Sequence, residues 1–188
     1  MPKRRGEKAR PSLPFGQTCG RPARKVDRGT SVGVVAPRKY WVDFYTPETW
    51  RDSSETTHHE VGGFRLNRES AAARVAIGDY LFCYVSEIAK FVGVVETLSL
   101  MNINYKPVWD DETWPIRFDT KLLWKVENRS GLPLRAVLDH VGYTGIARSY
   151  VVPTLQQLHR RDAEYILRWF EGMDSQGATM TRPSHVTA

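Results

Sequence analysis

The chain has 188 residues, with 27 Lys and Arg against 21 Asp and Glu. That length suffices for one well-buried domain plus tails, and no apolar run nears the roughly 18 residues that a membrane-crossing helix needs. The basic N-terminus lacks the apolar segment of a secretory signal, and Cys19 and Cys83 show no CxxC spacing, so a reduced, cytoplasmic, monomeric protein is expected.

The basicity is uneven. Residues 1–39 carry eleven Lys and Arg against Glu7 and Asp27, a net +9, whereas 40–188 carry 16 basic and 19 acidic residues, a net −3. Residues 1–38 are rich in Pro, Gly, Arg and Lys and cannot bury enough apolar area to offset their ordering entropy, so they read as a disordered basic tail. Such an arm holds polyanions by counterion release without reading sequence, or simply solubilises the chain. Residues 173–188 read as a second disordered tail, leaving one domain over 39–172.

Within it, Tyr40–Tyr45 is expected as a first strand. Thr46 is suited to cap a short helix that starts at Pro47 and runs through Trp50, with 51–60 a polar loop. Asn67 is suited to cap an alanine-rich helix over 68–75, stopped by Gly78-Asp79. Tyr80–Val85 and Phe91–Thr97 predict an antiparallel pair. In the strand predicted over 116–126, Ile116, Phe118, Thr120, Leu122, Trp124 and Val126 share one face, and Arg117, Asp119, Lys121 and Lys125 the other. A short helix is expected over Pro133–Val141, a strand over Ser149–Val152, and a closing helix over Arg161–Phe170 that buries Ile166, Trp169 and Phe170. Trp41, Trp124 and Cys83 read as core.

Trp109 and Trp114 sit five residues apart in an acidic loop ahead of the long strand. Indoles stack on flat or cationic groups, so a pair in a loop invites a ligand. Trp109 answers to no core period, whereas Trp114 shares the even-numbered apolar stripe and also suits the core. Asp110, Asp111 and Glu112 beside them read as a solvated run. His58-His59-Glu60 is not a metalloprotease motif, and no GxSxG, phosphate-binding loop or dinucleotide fingerprint occurs. No cofactor or metal is expected.

The ordered set Tyr40-Trp41, Thr46-Pro47-Glu48-Thr49-Trp50, Gly62-Gly63-Phe64-Arg65-Leu66-Asn67, Gly78-Asp79-Tyr80-Leu81-Phe82-Cys83-Tyr84 and Phe91-Val92-Gly93-Val94-Val95 resembles the EVE domain over roughly 39–172. That family is a branch of the PUA-like superfamily close to the YTH domains. The resemblance implies an α+β fold: a small PUA-like β-barrel of five to six mostly antiparallel strands with short helices around it. It also implies a non-enzymatic nucleic-acid-binding module, for DNA or RNA, that takes a flipped, modified base into an aromatic pocket. Trp109 to Trp114, followed by Arg117-Phe118-Asp119, is similar to the loop that supplies two cage walls in YTH readers. The tryptophan that forms a third wall there corresponds to Gly62, with Phe64 as a nearby substitute.

Base-pocket candidates are therefore Trp109, Trp114, Phe64, Asn67, Tyr45 and Ser86. Asn67 offers both donor and acceptor to a base edge, although it equally suits a helix cap. Candidates for phosphate contact are Arg65, Arg68, Arg74, Arg117 and Lys121, with Lys125 on the same strand face. The competing readings are a nuclease or nucleotide-processing enzyme on a PUA-like fold, and a module for a small ligand.

Overall fold

The structure, a computed structural model, describes residues 37–109, 114–141 and 154–175. β1 (Tyr40–Tyr45) buries Trp41, Val42 and Asp43. α1 (Pro47–Thr56) opens with a capping box, in which Thr49 N donates to Thr46 Oγ1 at 3.2 Å and Thr46 N donates to Thr49 Oγ1 at 2.9 Å. This helix runs six residues past Trp50. No Pro or Gly interrupts 51–56, and the added turns bury Ser53 while Arg51, Glu55 and Thr56 stay in water.

β2 (Val61–Phe64) is a strand where the sequence suggested only a Gly-Gly-Phe connection. A 3-10 turn over Leu66–Arg68 leads into the single-turn α2 (Glu69–Ala72), much shorter than the expected 68–75 helix. Asn67 does not cap it: Asn67 lies exposed inside the 3-10 turn, which starts without a side-chain cap. β3 (Tyr80–Val85), β4 (Lys90–Thr97), β5 (Asn102–Ile103) and β6 (Ile116–Lys125) follow. β7 (Leu132–Pro133), α3 (Leu134–Val141), β8 (Gln156–Gln157) and α4 (Arg160–Ser175) complete the described elements. The strand expected over Ser149–Val152 lies outside the described residues.

The strands form one curled mixed sheet in the order β2-β6-β4-β3-β1-β8, with β5 against β6 and β7 against β4. Most pairs are antiparallel, but β1 and β3 run parallel, with Asp43 opposite Cys83. Parallel neighbours need a crossover, and α1, β2 and α2 supply it. β6 is flanked by β2 and β4, and of residues 116–125 only Asp119 is exposed, so the expected polar outer face is largely covered.

The core gathers Trp41, Phe82, Phe91, Phe118 and Phe170, with Ile166 and Ala163 of α4 closing one side. Trp169 and Trp124 are half-buried against Phe170. Trp50 lies over Gly93, where a Cβ would come within 2.8 Å of its ring. Asp79, beside the turn glycine Gly78 (φ +84°), fastens β1 to this layer. Its carboxylate accepts from Lys39 N at 2.8 Å, Trp41 Nε1 at 2.9 Å and Ala76 N at 3.0 Å. No described helix is long and apolar enough to cross a membrane.

Candidate functional site

Three elements converge on one cavity. β1 contributes Asp43, Phe44 and Tyr45, α1 contributes Thr49, Asp52 and Ser53, and β2 contributes Val61, Gly63 and Phe64; Trp109, Trp114 and Thr154 complete the lining. Thr154 is held there because Leu155 and Leu158 dock on β1, donating from their amides to Val42 O at 2.7 Å and Tyr40 O at 2.8 Å. The cavity volume is about 60 Å³. An ordered water needs about 10–15 Å³ of such space, so the cavity has room for roughly four to six waters.

The two tryptophans meet over Gly63. A Cβ there would lie 2.5 Å from Trp109 Cζ3, 2.7 Å from Trp109 Cη2 and 3.0 Å from Trp114 Cβ. Gly62, by contrast, faces Phe64, Thr120 and Phe118, where a Cβ would make ordinary contacts of 3.5 to 3.9 Å. The strand alternation of β2 thus turns Gly63 toward the two indoles and Gly62 toward the core. Both indoles are half-buried, and each has a guanidinium nearby: Arg117 Cζ is 4.8 Å from the Trp109 ring centroid and Arg65 Cζ is 5.1 Å from that of Trp114.

Asp43 is a buried acid on the lining of this apolar space. Its Oδ2 accepts from Tyr45 Oη at 2.8 Å and its Oδ1 from Thr154 Oγ1 at 3.2 Å. Burial nevertheless wins over these bonds and pushes the carboxyl up to about 7. Burial, followed by the adjacent Asp43, likewise raises the Tyr45 hydroxyl and the Cys83 thiol. On the far side of Ser53, His59 is buried, stacks on Trp50 at 4.1 Å, and has Nδ1 3.1 Å from Ser53 Oγ. Desolvation, with a smaller effect of Lys125, lowers the imidazole to about 3, so His59 is an uncharged ring packed on Trp50 at neutral pH. Among the described residues no three His, Cys, Asp or Glu side chains converge as metal ligands.

Of the pocket residues expected from sequence, the cavity brings together Trp109, Trp114, Phe64 and Tyr45. Phe64 is 1% exposed and packs edge-on against Phe118, so it is a core ring that also forms a wall. Asn67 and Ser86 do not line it. Asn67 points to solvent from its 3-10 turn, and Ser86 sits in the β3–β4 turn, where its amide donates to Tyr45 O at 3.0 Å.

Of the expected phosphate contacts, Arg65 and Arg74 are exposed and Arg68 and Lys121 half-buried. Arg117 departs from that reading: it is only 4% exposed, its Nη2 donates to Lys106 O, and its Nε and Nη1 have no partner among the described residues. It supports the Trp109 ring from within rather than offering a surface cation. Lys125 is half-buried and bonded to Ser54 Oγ. Asp43, Thr154 and Gly63 escaped the sequence reading. Asp43 did leave a signal, as the one acid in the run Tyr-Trp-Val-Asp-Phe-Tyr.

No family model matches the sequence, and no curated protein sequence matches it. Solved structures do share its architecture. A hypothetical protein from Leishmania major aligns with TM-score 0.55 at 15% identity, covering 73% of this chain and 98% of that one. A YTH domain-containing protein, mmi1, solved with RNA, aligns with TM-score 0.55 at 11% identity over 74% of this chain and 87% of that one. The YTH domain of Zygosaccharomyces rouxii MRB1 in complex with N6-methyladenosine RNA gives TM-score 0.55 at 12% identity, over 76% and 92%. The fold is YTH-like. At such identities the YTH-like likeness concerns the backbone, so the chemistry of the cavity must be argued from this chain's own side chains.

Proposed function

We propose that this YTH-like domain is a non-enzymatic nucleic-acid reader of EVE type. In this reading it takes a flipped, modified base, of RNA in the first instance, into the cavity between Trp109 and Trp114. The observation that carries the reading is the convergence of two half-buried indoles on one glycine-floored cavity that ends in a buried polar group. Structural neighbours solved with RNA and N6-methyladenosine RNA support RNA as the partner.

The energetics are consistent. Extruding a base costs a few kcal/mol, and stacking on an aromatic returns about 1–3 kcal/mol per ring. Two indoles therefore roughly offset extrusion, and net affinity must come from edge hydrogen bonds and phosphate contacts. Arg65, Arg68, Arg74 and Lys121 are the proposed phosphate contacts. The basic segment 1–38 adds sequence-blind attraction.

Titration of the domain with a short methylated oligonucleotide tests this. Trp109→Ala and Trp114→Ala should each weaken binding by about 1–3 kcal/mol while the melting transition stays cooperative. Unchanged affinity in both variants would remove the cage from the mechanism.

A further inference from the structure

Arg117 carries a full charge that neither an ion pair nor solvent neutralises. It is 4% exposed, and its Cζ lies 4.8 Å from the centroid of the Trp109 ring. Its Nη2 donates to Lys106 O at 3.2 Å, while Nε and Nη1 have no partner among the described residues. No ion pair among the described residues includes it. A guanidinium keeps its proton in proteins, so this buried cation is permanent. Neither Arg117 nor Lys106 lines the cavity, although Trp109 does, so the charge acts on that space across the indole.

Resting on the reader function proposed above, we propose that Arg117 makes the cage selective for uncharged rings. In this proposal the indoles accept a neutral methylated base and reject a base whose methyl group fixes a positive charge on the ring.

A bare indole face attracts cations, because its π density is negative. A guanidinium beside the ring already draws on that density, and it repels a second cation directly. Offset-stacked rings have centroids about 4.5–7 Å apart, so a base on the cavity side of Trp109 would sit roughly 9–12 Å from the Arg117 charge. At an effective dielectric of about 20 that repulsion weakens a cationic base roughly ten- to twentyfold, and in bulk water only about twofold.

The other charges beside the cavity are Asp43, Asp52 and Arg65. Asp43 already accepts from Tyr45 Oη, Thr154 Oγ1 and the Phe44 amide, and burial raises its carboxyl to about 7, so much of it is uncharged at neutral pH. Asp52 is half-buried, with its Oδ1 3.9 Å from Arg51 Nε. Arg65, 5.1 Å from the Trp114 centroid, is exposed and adds a water-screened charge of the same sign as Arg117. The acids attract a cation from the far wall, whereas the arginines oppose it at the stacking rings themselves.

The test uses two pairs of isomers in which the position of one methyl group decides the charge at neutral pH. N6-methyladenine is compared with cationic 1-methyladenine, and 5-methylcytosine with cationic 3-methylcytosine, each at the centre of the same single-stranded RNA. The unaltered protein should prefer the neutral member of each pair. Arg117→Gln should cut that preference by about two- to twentyfold, mainly through tighter binding of the cationic member. Arg117→Lys keeps the charge and should keep the preference, whereas selection by shape alone would leave all three proteins alike. Should Arg117→Gln fail to melt cooperatively, the unaltered chain still decides, since equal or tighter binding of both cationic members overturns the proposal. Trp109-dependent binding with the same preference in Arg117→Gln as in the unaltered protein would overturn the role of Arg117 and leave the reader standing. Binding indifferent to Trp109→Ala, or no binding at all, would overturn both.

Discussion

Ser53 stands between two buried titratable side chains: it lines the cavity that Asp43 faces, and its Oγ lies 3.1 Å from His59 Nδ1. Burial raises the Asp43 carboxyl to about 7 from an ordinary 3.8, and lowers the His59 imidazole to about 3 from 6.5. Between about pH 3.8 and 7 the native chain holds a proton on Asp43 that the unfolded chain releases, so this residue makes stability fall as pH rises. Between about pH 3 and 6.5 the unfolded chain holds a proton on His59 that the native chain excludes, so this residue makes stability rise with pH. Over the shared window, about pH 4 to 6.5, the two slopes cancel. Asp43→Asn should therefore expose the slope of His59. Its stability in urea should drop by up to about 1.4 kcal/mol per pH unit below 6.5 relative to the parent. Parallel pH profiles for the two proteins would mean that burial does not hold Asp43 in its uncharged form.

At the scale of elements, β2 is what turns two sticky rings into a site. Its pairing with β6, Gly63 opposite Arg117, brings the strand beside the residues that follow Trp114. Gly63→Ala would place a methyl 2.5 Å from the far end of the Trp109 indole and 3.0 Å from Trp114 Cβ, so the indole must move outward. The variant should melt within about 1 kcal/mol of the parent. It should also show a more solvent-exposed indole fluorescence and bind as weakly as Trp109→Ala. Gly62→Ala meets contacts no closer than 3.5 Å and should bind normally. Equal binding by both variants would place Trp109 outside the recognition surface.

Why β2 was not legible follows from its composition. Val-Gly-Gly-Phe has low strand propensity and no room for an alternating pattern, so only pairing with β6 makes it a strand. The same tertiary control hid the length of α1 and the shortness of α2. In contrast β1, β3, β4 and β6 were readable because their β-branched and aromatic runs are long enough to show a period. Alternation misled at Arg117, since β6 is covered on both faces and its odd positions are not all solvent-facing. The cavity itself was legible only as the tryptophan pair. Thr154 reaches it from forty-five residues beyond Trp109, a proximity that only the docking of Leu155 on β1 creates.

For the whole molecule, the net positive charge lies in the sequence ahead of the domain. Arg38 belongs with the domain: its Nε donates to Gly78 O at 2.6 Å, its Nη2 pairs with Glu96 at 3.2 Å, and its guanidinium lies 3.9 Å from the Tyr80 ring centroid. The sequence before it, 1–36, holds nine Lys and Arg against two acidic residues, a net +7, whereas 37–188 holds 18 against 19, a net −1. A near-neutral domain binds a polyanion through a few placed arginines, so most of the counterion release should come from the basic segment. Removing 1–36 while keeping Arg38 should reduce the slope of log affinity against log salt by several units, up to about 6 if all nine cations engage a single strand. Under the proposed function, the preference for a methylated over an unmethylated base should survive the truncation. A slope unchanged by the deletion would show that the segment does not touch the nucleic acid. A lost base preference would instead assign it a share of recognition.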